Sequence, residues 1–211
     1  MFEVILEALG QTLIMVFFST VFSVIIGFML AIIVTITSPT GLKPVRTVYK
    51  VLDLVINILR GFPFVILMVF MIPFTKIIAG TFIGVKGAIV PLTIAAIPFV
   101  ARIIEAALKE VDPGVIEAAK AFGASDRQII FKVMVKEAIP SIVSGLTLIV
   151  ISIIGYSAMA GSVGAGGLGN LAITYGYQRF QTDIMVTTVI ILIIIVQGLQ
   201  SLGNYVYKKL S

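Results

Sequence analysis

Between Glu7 and Lys43 the chain carries no charged side chain, and residues 8–36 are almost entirely apolar or small. A helix rises about 1.5 Å per residue, so a run of this length outreaches the ~30 Å hydrocarbon core of a bilayer and spans it with some tilt. The rest of the chain continues the pattern. Of its 211 residues, 59% are hydrophobic and only 12% charged. Soluble domains carry about a quarter of their residues as charges, so half that amount points to lipid as the solvent. Four more apolar segments follow, over about 51–72, 87–108, 139–160 and 184–207. Asp53 and Arg60 interrupt the second, and Arg102 and Glu105 sit near the end of the third. Ser38-Pro39-Thr40-Gly41 breaks the first helix, and Pro73, Gly80 and Gly84 mark a loop after the second. The expected fold is an all-α integral membrane protein of five transmembrane helices in a single domain over 8–207.

Five spans place the termini on opposite sides, and basic residues decide which side is which. Lys43, Arg46 and Lys50 follow the first span, and Lys109, Lys120, Arg127, Lys132 and Lys136 follow the third. Lys208 and Lys209 follow the fifth. The alternate loops hold only Lys76, Lys86 and Arg179. Ten against three, by the positive-inside rule, puts the N-terminus outside and the C-terminus in the cytoplasm. The net charge of +5 is thereby explained without nucleic acid. Glu3 and Glu7 at the N-terminus, with no basic residue ahead of the first apolar run, do not resemble a cleaved leader, so that run is expected to remain as a helix.

Several chemistries are excluded. The chain contains no histidine, cysteine or tryptophan, which removes thiolate and imidazole metal ligands, cysteine nucleophiles and Ser-His-Asp triads. No carboxylate pair is placed for general acid–base work, so no catalytic residue, cofactor or metal is expected in this chain. Gly164-Ala165-Gly166-Gly167-Leu168-Gly169 matches a dinucleotide fingerprint in spacing, but that fingerprint needs a preceding strand. Here a span precedes it, and a loop outside the cytoplasm, flexible or tightly packed, is expected instead.

The polar stretch 109–137 lies on the cytoplasmic side. Asp112 and Pro113 read as N-cap and first residue of a short helix, and Gly123 as the left-handed residue that ends it. Ser125 with Gln128 is a capping box opening a second helix. Two short helices then form a knuckle with Val115, Ile116, Phe122, Ile129, Ile130 and Phe131 as its apolar side chains, a surface suited to docking.

Glu117-Ala118-Ala119 followed by Gly123 resembles the EAA loop of ABC-importer permeases. The pattern usually continues with Ile-x-Leu-Pro; here Val133, Met134, Val135 and Lys136 stand at those positions, and Pro140 comes four residues later. The resemblance covers nearly the whole chain and is closest to the permeases of methionine importers. It rests on Arg60-Gly61-Phe62-Pro63-Phe64, Met71-Ile72-Pro73-Phe74-Thr75, Ala88-Ile89-Val90-Pro91-Leu92-Thr93, and Gly155-Tyr156-Ser157-Ala158-Met159 with the glycines after it. It implies a homodimer in the bacterial cytoplasmic membrane, two copies of an ATPase subunit that bind ATP and Mg, and an extracytoplasmic binding lipoprotein. The implied solute is L- or D-methionine or a close derivative, with another amino acid or an osmoprotectant as the alternative. In this family Glu117, Ala118, Ala119, Phe122 and Gly123 correspond to the ATPase-coupling element.

Other residues admit two readings each. Tyr156, Ser157 and Met159 either line the solute pathway, with Met159 as a soft gate, or serve ordinary packing. Arg60 either pairs with Asp53 or Glu105, or snorkels to the cytoplasmic interface. A different class of protein, a small membrane enzyme or lipid-handling protein, would use Arg60, Arg102 and Glu105.

Overall fold

The computed structural model describes residues 2–210. Helices alone satisfy backbone polar groups within a lipid-embedded segment, and all the regular structure among the described residues is helical. In order these are α1 (Phe2–Thr37), α2 (Arg46–Arg60), α3 (Phe64–Phe70), α4 (Ile72–Ala79), α5 (Gly84–Lys109) and α6 (Pro113–Ala121). Then come α7 (Asp126–Gln128), a π-helical stretch (Ile129–Met134), α8 (Val135–Gly161), α9 (Gly167–Asn170), a second π-helical stretch (Leu171–Tyr177) and α10 (Thr182–Leu210).

Helix α5 is the axis of the bundle. It tolerates Pro91 and Pro98 in its interior because neighbouring helices enclose it on most sides. Helix α1 runs alongside it in the same direction, with the Ser19 hydroxyl donating to the Ile89 carbonyl at 3.4 Å. A Cβ on Gly27 of α1 would stand 2.6 Å from Val100, and one on Gly145 of α8 would stand 2.1 Å from Ile103. Helix α10 approaches α8 in the same way, at Gly203 against Thr147. Small residues of this kind let helices close to contact in lipid, where no hydrophobic force drives them together. Ile104, Leu108, Val100 and Ile153 are fully sealed between α1, α5 and α8.

Two expectations are corrected. The second apolar segment is not one straight span. Helix α2 ends at Arg60 and α3 begins at Phe64, the pair bent by 105° at the intervening residues. Pro63, which has φ −61, lacks an N–H and cannot extend the α2 ladder. The broken segment nevertheless runs the length of α5: Tyr49 lies against Lys109, Asn57 against Arg102, and Arg60 against Phe99. Met68 and Thr75 meet Gly87 and Pro91 around a small cavity near the other end of α5. The other correction concerns the fourth span. Asp126–Gly161 forms one helix of 36 residues, so the second of the two short helices expected over 109–137 is the start of a long one. Pro140 lies inside it without ending it.

A charged cluster fastens α2 to α5. The Arg102 guanidinium donates to Asp53 and Asn57 of α2 and, at 2.7 Å, to Glu105 one turn along its own helix. Lys109 donates to the other Glu105 oxygen at 2.7 Å. Glu105 is only 3% exposed and accepts from two cations, so both its oxygens are satisfied. Removing one member of such a cluster leaves the others without partners, at roughly 3 kcal/mol for a pair this buried. Glu105→Ala is therefore expected to lower the melting temperature of the detergent-purified protein. Glu105→Gln, which keeps an acceptor oxygen for Arg102, is expected to lower it less.

Candidate functional site

The knuckle is built as its caps dictate. The Asp112 side chain accepts from the Gly114 N–H at 2.7 Å and opens α6. At the other end Gly123 has φ +76. The Gly123 N–H reaches Lys120 O at 2.9 Å and the Ala124 N–H reaches Ala119 O at 3.0 Å. This double closure satisfies orphan carbonyls and needs a left-handed residue, which glycine supplies without strain. The Ser125 capping box then starts the long helix. Helix α6 therefore projects between two sharply defined ends.

Its outer face is open. Glu117 and Ala118 are exposed, Ala119 is half-buried, and the Phe122 ring is 92% exposed. Val115 and Phe131 are exposed as well. Ile129 and Ile130 depart from expectation: they are buried, packing beneath α6 with Leu108, Val111 and Met134. The knuckle thus has an apolar root holding it to α5 and an apolar tip, Phe122, facing away. A salt bridge from Lys43 to Asp126 at 3.1 Å joins the α1–α2 connection to the start of the long helix.

Along α8 an open face runs through Ser144, Leu148, Ser152, Gly155, Met159 and Ser162, three or four residues apart. Met159 lies on it, 47% exposed. Tyr156 lies beside it, stacked on Phe64 with centroids 4.9 Å apart. Ser157 does not reach it: it is 2% exposed and its hydroxyl donates to Ile154 O at 2.8 Å. Ser152 and Gly155 are the members that the sequence reading passed over. Their signal was the recurrence of small residues on one side of an otherwise aliphatic helix.

Arg60 makes neither of the ion pairs that one of its two readings allowed. Asp53 and Glu105 both pair with Arg102, and Arg60 instead sets its guanidinium over the Phe99 ring, 5.3 Å from the centroid. The glycine-rich segment is packed rather than open. Gly167 and Leu168 donate their N–H groups to the Gln11 and Thr12 side chains of α1, at 2.7 and 2.9 Å. Those amides are spent inside the bundle, and a helix rather than a strand precedes the segment.

Residues 23–211 match the family described as binding-protein-dependent transport system inner membrane component. A probable D-methionine transport system permease protein, MetI, of Vibrio cholerae is 47% identical over 99% of this chain and 93% of its own length. The methionine import system permease protein MetP of Bacillus subtilis is 43% identical over 81% of this chain and 77% of its own. Among solved structures, a chain of the MetNI methionine ABC transporter in an inward-facing conformation superposes with TM-score 0.97 at 40% identity, covering 99% of this chain and 97% of that one. An amino acid ABC transporter shares the fold, with TM-score 0.81 at 22% identity.

The glycines of the two regions are expected to respond differently. A Cβ at Gly169 would fall 2.2 Å from Ala158 O, and one at Gly161 would fall 2.3 Å from the Asn170 nitrogen. Gly155, on the open face, has nothing within 4 Å. Overpacking costs about 1–3 kcal/mol, so Gly169→Ala and Gly161→Ala should lower the melting temperature. Gly155→Ala should leave it within about 0.5 kcal/mol of the original stability.

Proposed function

This chain belongs to the family of binding-protein-dependent transport system inner membrane components, and we infer from that membership that it is the permease subunit of an ATP-driven methionine importer. The observation that carries the methionine reading is the identity to MetI and MetP proteins over most of their length. The fold agreement with the MetNI permease supports it.

The arrangement proposed is a homodimer in the cytoplasmic membrane with two copies of an ATPase subunit, which alone bind ATP and Mg and carry out hydrolysis. A separate extracytoplasmic protein delivers the solute. Five crossings, with the N-terminus outside, are supported by the ten-to-three bias of basic residues and by the broken second segment tracking α5 from one end to the other. Helix α6 and Phe122 insert into the ATPase subunit, and the open face of α8 lines the pathway.

The mechanics follow from continuity. Helix α6 rests on Ile129 and Ile130, and these belong to the same unbroken helix that carries Ser152, Gly155 and Met159. A push on the knuckle is therefore delivered along one continuous helix to the pathway face. ATP closing the ATPase dimer draws the two knuckles together and turns the pathway outward, and hydrolysis returns it inward.

Two experiments test this reading. Proteoliposomes holding the chain, its ATPase and its binding protein should accumulate radiolabelled methionine when ATP is supplied. In the same system Gly123→Val, strained by roughly 1–2 kcal/mol in the left-handed region, should insert and dimerise normally. It should lose ATPase recovery, or hydrolyse ATP without transport. Normal uptake with full recovery would remove the knuckle from the coupling role. For orientation, Lys120→Cys and Tyr177→Cys in this cysteine-free chain give exposed thiols at the two ends. An impermeant reagent on whole cells should label position 177 and spare position 120, and the reverse pattern would invert the topology.

A further inference from the structure

We propose that Arg60, set at the break between α2 and α3, is the mid-membrane contact for the carboxylate of the amino acid in transit. The proposal rests on the permease reading and adds to it a site within this chain.

The intramembrane charges divide into two groups. Arg102, Asp53, Glu105 and Lys109 neutralise one another in a single cluster. Arg60 stands apart: among the described residues it makes no ion pair, and it is exposed, with only the face of Phe99 against its guanidinium. Its depth follows from that contact. Phe99 lies ten residues before Lys109, where α5 ends, about 15 Å of helix rise. Half of a ~30 Å core is the same distance. The guanidinium is thus level with the middle of α5, deeper along the helix than the headgroup contact that a snorkelling side chain would seek. A cation at that level belongs to a water-filled cavity or a protein interior, and its counter-ion marks a solute path.

The backbone points the same way. Gly61, Phe62 and Pro63 are non-helical and exposed at this level. Irregular backbone at membrane depth is tolerated where it lines an aqueous cavity, and discontinuous helices near the midplane are where transporters place their solute contacts. Immediately after the break, Phe64 stacks on Tyr156. Tyr156 and Phe99 in turn share a small cavity with Ser152, a member of the open α8 face. One cation is thereby set beside a group of aromatic rings.

That combination suits a zwitterion with an apolar side chain. The planar guanidinium donates to both carboxylate oxygens in parallel N–H···O bonds. The rings of Phe99 and Tyr156 offer dispersion contact, and a thioether sulfur gains further from an aromatic edge. The bound carboxylate supplies the missing counter-ion for a fraction of each cycle. Phe99 holds the guanidinium in place while no solute is present.

The test uses the complete complex in proteoliposomes and exploits the absence of cysteine from this chain, with the unsubstituted complex treated alongside as the control for reagent effects on its partners. Wild-type uptake of methionine tests the permease reading by itself. Given that uptake, Arg60→Cys should assemble with the ATPase in normal yield and transport at least about tenfold more slowly, as expected for loss of a charge-assisted contact. A cationic aminoethyl methanethiosulfonate should restore most of the uptake, and the anionic sulfonatoethyl reagent should not. Should Arg60→Cys fail to assemble, Arg60→Lys, which keeps the charge, is read against Arg60→Gln: the first should transport and the second should not. Wild-type uptake in Arg60→Cys or Arg60→Gln would overturn the proposal. So would equal rescue by both reagents, or rescue by neither.

Discussion

In hydrocarbon a backbone N–H or C=O has no water to turn to, and everything in this chain follows from that. It makes each apolar segment a helix before any packing is considered. It also makes departures from the helix costly, so they persist only where other groups repair them. The structure departs at two such places. In the glycine-rich turn, Gln11 and Thr12 of α1 accept the freed N–H groups of Gly167 and Leu168. At Gly61-Phe62-Pro63 the repair is made by backbone alone, Gly61 and Phe62 donating to carbonyls of α2 and Leu67 to the Pro63 carbonyl, and the segment is exposed. One departure is sealed into the bundle as structure. The other is left open beside a cation and a set of rings.

Because lipid tails are as apolar as the side chains, contact between spans depends on fit rather than on a hydrophobic drive. Gly27, Gly145 and Gly203 are the places where helices touch. The same residue type has an opposite meaning at Gly155, where a Cβ would meet nothing. A small residue facing open space is not packing anything within this chain, which is what separates the pathway face of α8 from its packed sides. The open face of α8 and the root of the knuckle belong to one 36-residue helix.

Much of the knuckle was legible from local chemistry. Asp112 with Pro113, Gly123, and Ser125 with Gln128 are signals that act over three or four residues, and each cap formed as its residues require. The burial of Ile129 and Ile130 was not legible, because an apolar side chain on a short helix looks the same whether it meets a partner or the root of its own bundle. The break at Pro63 was written in the sequence as Gly-Phe-Pro. The aliphatic residues on either side of it nevertheless read as one apolar segment over 51–72.

By itself the sequence determined that the chain is helical, that it crosses a membrane several times, and where the knuckle begins and ends. Hydropathy, helix caps and the bias of basic residues are local properties, read by lipid and water before the tertiary structure exists. Partnership among charges was decided only by folding. Asp53 lies two turns before Arg60 on the same helix, yet it pairs with Arg102 across the gap to α5, and Glu105 does likewise from within α5. Spacing along a helix limits which side chains share a face, but the neighbouring helix settles which of them meet. The packing of α2 on α5 therefore brought four charges, Asp53, Arg102, Glu105 and Lys109, into one neutral cluster and left the guanidinium of Arg60 against Phe99.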